Sequence, residues 1–194
     1  MPSGYEPIEA LQAYCVQCVS GHERGLAERV NMHYSEITAL AVLQETHRSQ
    51  GGIKTLTQQV MLPGYVFLFS SLPLPFHEMI LIPNVLRFLT YGQGQDRSLR
   101  GEDLAFANWL LRHGGLFSCS KAVREGSRLE IIHGPLKDHI GTVEKVDRHN
   151  RNVCLSIAFS ENTRTVWMPF QWAEETVNPC TNGFLRKQQD SVVD

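Results

Sequence analysis

MLPGYVFLFS, residues 61–70, places five apolar residues, Tyr65 to Phe69, directly after the pair Pro63-Gly64. Proline beside glycine punctuates a chain, and the run that follows reads as a strand. A strand with one face in water alternates polar with apolar residues, and this one does not. Tyr65 and Phe67 share one face by the two-residue period, while Val66 and Leu68 take the other. Both faces therefore need cover. Two covers stand open at this point: the domain's own helices on both sides, or helices on one side and a partner on the other.

Working outward, Ala13–Val19 reads as a strand. Ser20 with Glu23 three positions later fits a capping box that opens a helix over Glu23–Ser35, with Leu26, Val30, Met32 and Tyr34 as its apolar stripe. Thr38–Glu45 is β-prone, a tip follows at Arg48-Ser49-Gln50-Gly51-Gly52, and Lys54–Val60 returns toward the opening stretch. Leu74–Leu81 reads as a short helix and Val85–Tyr91 as a strand. Asp103–Arg112 is helical, with Leu104, Phe106, Ala107, Leu110 and Leu111 on one side and Gly114-Gly115 as its stop. The order β-α-β-β-α-β-α describes a small α+β sandwich, helices on an antiparallel sheet, over residues 10–118.

Polar Ser118–Glu125 reads as a linker, taken as residues 119–125. The rhythm then changes. Ser127–Ile132, Ile140–Val146, Val153–Phe159 and Thr163–Pro169 are short strands separated by turn residues, the signature of a small barrel over residues 126–175. Residues 176–194 form a polar tail.

The chain of 194 residues has 18 basic and 20 acidic side chains, which argues against wholesale coating of nucleic acid. No apolar run approaches the roughly 20 residues of a membrane span, and no signal peptide opens the chain, so a cytoplasmic location is expected. Five scattered cysteines suit reduced thiols. Cys15-Val-Gln-Cys18 has metal-like spacing, but it falls within a strand and lacks a second ligand pair, so two packed thiols are expected and no metal or cofactor. No motif places a nucleophile beside a base, so an enzyme is not expected. Lys121–Trp172 carries eight basic against six acidic residues, and Lys137, His139, Arg148, His149 and Arg151 fall at loop tips, where cations meet phosphates.

Two sets of residues, in order, resemble the NusG-like transcription factors. Tyr14-Cys15-Val16-Gln17, Ser20-Gly21-His22-Glu23, Leu62-Pro63-Gly64-Tyr65-Val66 and Ile82-Pro83-Asn84-Val85 are similar to the family's amino-terminal (NGN) domain. Glu125-Gly126, Gly134-Pro135 and Gly141-Thr142-Val143 are similar to its SH3-like KOW barrel. The resemblance implies a monomeric, non-enzymatic elongation or antitermination factor. It implies docking onto the clamp helices of RNA polymerase through an apolar depression, here Leu62, Tyr65, Phe67, Ile82 and Phe88. It further implies that the barrel recruits a second partner through Lys137, His139, Arg148, His149, Arg151 and Phe159. That partner would be a nascent RNA hairpin, a ribosomal protein or a termination factor, and non-template DNA is a further contact. Ala13 stands where housekeeping members usually have tryptophan, and Leu62 where phenylalanine is usual. Ala158-Phe159-Ser160-Glu161-Asn162 replaces an apolar-Phe-Gly-Arg turn, and His139 replaces an aromatic. These departures point to a specialised, operon-serving paralogue of the LoaP or RfaH type. The alternatives are a housekeeping factor and a ribosome-associated KOW protein.

Overall fold

The computed structural model describes residues 11–173 apart from 51, 52, 93, 95, 127 and 161. The expected tail 176–194 and the Gly51-Gly52 tip lie outside the described residues. The fold is α+β. Its first half contains β1 (Gln12–Cys18), α1 (Glu23–His33), β2 (Thr38–Ala41), β3 (Leu43–Gln50) and β4 (Ile53–Val60). These are followed by β5 (Tyr65–Ser70), α2 (Phe76–Met79), β6 (Val85–Phe88), α3 (Gly101–Arg112) and β7 (Leu116–Phe117). The second half contains β8 (Ser120–Glu125), β9 (Arg128–His133), β10 (Thr142–Asp147), β11 (Asn152–Phe159) and β12 (Asn162–Trp172).

Strand β5 sits inside an antiparallel sheet of order β2-β5-β1-β6, with Cys15 opposite Phe67 and Val16 opposite Val66. Alternation then sorts the side chains. Val66 and Leu68 enter one core with Leu26, Ala27 and Val30 of α1 and Met79 of α2. Phe67 and Phe69 enter another with Phe106, Trp109 and Leu110 of α3. The C-x-x-C pair obeys the same rule: Cys15 is buried in the α3 core and Cys18 in the α1 core. Burial, and then the charge of Glu23, pushes the Cys18 thiol up to about 11, so it is an inert packed side chain.

Three local expectations change. The β-prone run Thr38–Glu45 breaks at buried Val42 into β2 and β3, because the second part leaves the central sheet to pair with β4 and, in parallel, with β7. The capping box does not form. His22 is the N-cap without a side-chain bond, and the Glu23 carboxylate accepts hydrogen bonds from the Gly21 N–H at 3.0 Å and the Gly64 N–H at 2.6 Å. A carboxylate 1% exposed is thereby satisfied by backbone donors from its own turn and from a distant one, and α1 is tied to the turn that launches β5. Finally, the segment expected as a linker is strand β8 from Ser120 onward. Its polar residues alternate with buried Ala122, and it pairs antiparallel with β9 and parallel with β12.

The second half is a five-stranded barrel of order β10-β11-β12-β8-β9. Two of its three motif glycines have steric causes. A Cβ on Gly134 (φ +96°) would stand 2.8 Å from the Ser120 Cα, and one on Gly141 (φ +84°) 2.3 Å from the Ser156 carbonyl oxygen. Leu155, Ile157, Phe159 and Met168 of the barrel belong to the same buried cluster as Phe67 and Trp109, so one core runs through both halves. No helix among the described residues is long and apolar enough to cross a membrane.

Two outcomes follow from this packing. Gly141→Ala should destabilise the barrel by roughly 2 kcal/mol or more, since conformational strain and a backbone clash act together; denaturant melts of the two proteins would measure it. Glu23→Gln should cost roughly 1–3 kcal/mol at neutral pH. Burial raises the Glu23 carboxyl, but its backbone donors and the nearby His22 hold it net below the ordinary carboxylate range. Its contribution is thus complete above the unfolded value and disappears as pH falls through the lower folded one. The gap between wild type and Glu23→Gln should therefore close in acid, read from stability curves between pH 7 and 3.

Candidate protein-docking site

The α3-facing side of β5 carries Tyr65, Phe67 and Phe69, and α3 adds Phe106 and Trp109. Into this aromatic surface the barrel inserts one side chain, Phe159, from the end of β11. Its ring centroid lies 5.3 Å from Tyr65, 5.3 Å from Phe67 and 5.5 Å from Phe106, in edge or tilted geometry. Phe159 is 2% exposed. Burying a phenylalanine is worth about 1.5–3 kcal/mol, and each good aromatic pair adds about 0.5–1.5.

Polar contacts frame this insertion at both ends of α3. At the N-terminal end, buried Asp103 accepts the Ser160 backbone N–H at 2.7 Å on one oxygen and the Tyr91 hydroxyl at 2.5 Å on the other. Burial and this bond to Asp103 push the Tyr91 hydroxyl well above its usual range, so it stays a donor. Ser160 has φ +53°, a left-handed backbone that disfavours serine. The charge-assisted bond to Asp103, worth about 1.5–3 kcal/mol, offsets a strain of similar size. A cavity of about 340 Å³, lined by Arg100, Glu102, Asp103, Phe159 and Asn162 among others, opens beside this contact. At the C-terminal end, Asp138 of the barrel meets His113 Nε2 at 3.1 Å and Arg112 Nε at 3.5 Å. Arg112 and Asp138 are half-exposed, so that pair adds at most about 1 kcal/mol. The aromatic insertion and the Asp103 bond dominate.

The residues named from sequence divide. Leu62, Tyr65 and Phe67 share the α3 side, where Leu62 and Phe67 are buried and Tyr65 is half-buried. Ile82 and Phe88 are not brought to them, since both pack in the α1 core across the sheet. On the barrel, Lys137 is exposed and His139 half-buried with Nδ1 2.8 Å from the Leu136 carbonyl oxygen. Arg148 and His149 are exposed on the β10–β11 turn and Arg151 is half-buried there. Asp147 holds that turn by accepting the backbone N–H of Asn150 at 2.9 Å and its side-chain amide at 2.8 Å. Those two bonds lower its carboxyl below the usual range. Phe159 stands apart from these cations. Eight residues of β11 separate its buried ring from the basic turn, a span of about 25 Å. Phe159 and the β10–β11 turn thus lie at opposite ends of β11, while Lys137 and His139 flank Asp138 at the α3 contact. Asp103 was not singled out from sequence, although a carboxylate beside Leu104 and Phe106 is the kind of residue that needs a partner when its helix is buried.

No protein-family model matches the chain. Among curated proteins it is similar to the transcription termination/antitermination protein NusG of Buchnera aphidicola subsp. Acyrthosiphon pisum (strain APS). The two are 22% identical over 173 residues, covering 84% of this chain and 94% of that protein. Among solved structures it matches Thermotoga maritima NusG, described for its domain interaction, with a TM-score of 0.51 at 16% identity. That match covers 84% of this chain and 95% of the other. The fold is that of NusG. An MjSpt4:Spt5 complex also aligns, at 17% identity and a TM-score of 0.28 over 81% of this chain and 91% of that one. The NusG-like arrangement of an NGN-type domain followed by a β-rich domain accounts for both sequence motifs at once.

Removing the Phe159 ring should release the barrel from α3. Phe→Ala at a buried site costs about 3–5 kcal/mol, so Phe159→Ala should shift the closed-to-open balance by roughly a hundredfold or more. Asp103→Asn should shift it less. Small-angle scattering would show a larger radius of gyration for Phe159→Ala, with circular dichroism confirming retained strands; an unchanged radius contradicts the assignment.

Proposed function

We propose that the protein is a NusG-like transcription elongation and antitermination factor. Its N-terminal domain docks on RNA polymerase through the α3-facing aromatic surface of β5, and its barrel recruits a second partner. The observation that carries this reading is the aromatic surface itself. Tyr65, Phe67 and Phe106 form an apolar site complementary to one inserted ring, in a fold shared with NusG over 84% of the chain. The relative from Buchnera aphidicola is itself a termination/antitermination protein, which supports the same function class. The site carries no catalytic constellation, and the protein acts by binding, as a cytoplasmic monomer.

Docking on the polymerase clamp helices and closure by Phe159 compete for the same surface. The polymerase-competent form is therefore the open one. Because Ile82 and Phe88 pack across the sheet, the docking set is Leu62, Tyr65 and Phe67 with Phe106. Partners that would grip the Phe159 end of the barrel, a termination factor or a ribosomal protein, are excluded while it is closed. This favours the specialised, operon-serving reading over constitutive coupling, and the backbone N–H of Ser160, held by Asp103, is part of what keeps it closed.

Co-purification with RNA polymerase tests the proposal. Wild type should associate weakly, Phe159→Ala at least tenfold more strongly, and the double variant Tyr65→Ser with Phe159→Ala should lose the gain. Tyr65 suits this test because it is half-buried, whereas a polar residue at fully buried Phe67 would damage the core. Equal recovery of polymerase with all three proteins, or sedimentation with ribosomes in the absence of transcription, would defeat it.

A further inference from the structure

Two buried polar atoms find no hydrogen-bond partner among the described residues: the indole Nε1–H of Trp109 and the side-chain carbonyl oxygen of Gln44. Trp109 is wholly buried and Gln44 is 7% exposed. A hydrogen-bonding group taken from water without a partner destabilises whichever state buries it.

Their places in the fold show which state that is. Phe106, Trp109 and His113 follow one another at i, i+3 and i+7, so they form a single stripe along α3. Their rings touch in that order, with centroids 6.0 Å and 6.1 Å apart. The barrel grips both ends of the stripe. The Phe159 ring meets Phe106 at 5.5 Å, and the Asp138 carboxylate meets His113 Nε2 at 3.1 Å. Trp109 therefore lies beneath the barrel, between its two contacts. Gln44 belongs to the same boundary. It stands in register beside Phe117 of β7, whose ring stacks on Trp109 with centroids 4.2 Å apart. Its strand β3 also packs against β12 of the barrel. A donor and an acceptor thus lie in the surface that the barrel covers, and the barrel answers neither.

Closure supplies apolar cover through Phe159 but no polar complement at these two points. We propose that Trp109 and Gln44 are polar anchors of the polymerase-docking surface. On opening, the Trp109 N–H donates to a carboxylate or carbonyl oxygen of the polymerase, and the Gln44 oxygen accepts from one of its N–H donors. The proposal rests on the docking reading above and deepens it, adding two specificity-determining residues to the apolar set Leu62, Tyr65, Phe67 and Phe106. The barrel is then an incomplete copy of the partner it excludes. The two atoms weaken the closed form, where they are unpaired, and strengthen the docked one, where they are paired. They also penalise an apolar partner of similar shape, which would bury them without bonding them.

Two measurements on the full chain test this. The first reads opening without polymerase, as hydrogen exchange at the Ser160 N–H, which Asp103 holds while the barrel is seated. Gln44→Met keeps the length of the side chain and removes the unpaired oxygen, so exchange there should slow roughly threefold or more. The second is polymerase association in the Phe159→Ala background, where the surface is uncovered. Gln44→Met and Trp109→Phe should each weaken it roughly fivefold or more, and the two together should weaken it further. Thermal melts establish that each variant is folded; Gln44→Met, nearly unchanged in volume, carries the test alone if Trp109→Phe is not. Unchanged or faster exchange in Gln44→Met overturns the proposal, as does full polymerase association by either folded variant in the Phe159→Ala background. Failure of the docking reading has a different signature: Phe159→Ala itself then gains no association, and both readings fall together.

Discussion

The insertion of Phe159 between Tyr65, Phe67 and Phe106 is the contact on which the arrangement of this molecule depends. Strand β5 is apolar on both faces, and α1 and α2 can cover only one of them. Helix α3 covers part of the other, and the barrel supplies the remaining side chain. Among the polar contacts between the halves, the Arg112–Asp138 pair is half-exposed and weak. With Phe159 in place, one buried cluster extends from Ala13 to Trp172.

That cluster bears on the two readings of β5: in this structure both of its faces are covered within the chain. One face is covered by α1 and α2, the other by α3 together with strands of the second half. An apolar surface of this size is costly to leave in water, and the second half supplies the cover that the helices leave incomplete.

Much of the fold was legible in sequence because it follows local rules. The two-residue period of Tyr65–Phe69 set its faces, Pro63-Gly64 set its start, and the turn glycines of the barrel set its strand breaks. Two kinds of feature were not legible. Glu23 reads locally as a capping residue, but its donors come partly from Gly64, forty-one positions away, and no local pattern reports that. Likewise Ser120–Glu125 is polar enough to resemble a linker, and becomes a strand only because β9 and β12 flank it. The candidate site shows the same division. Tyr65 and Phe67 were found from their strand, whereas Ile82 and Phe88 were misgrouped because chain proximity says nothing about which side of a sheet a residue serves. Asp103, Phe106 and the pairing of Phe159 with them are tertiary facts.

Only Ser118 and Cys119 lie between β7, which is paired to β3, and β8, which is built into the barrel. Two residues span about 7 Å, and the Cys119 N–H is itself held by the Glu45 carboxylate at 2.9 Å. A barrel that leaves α3 on so short a tether stays close to it, at an effective concentration of the order of millimolar or higher. Return to α3 would thus be a fast intramolecular event. The length of this connection, as much as the chemistry of the aromatic surface, holds the two halves to one another.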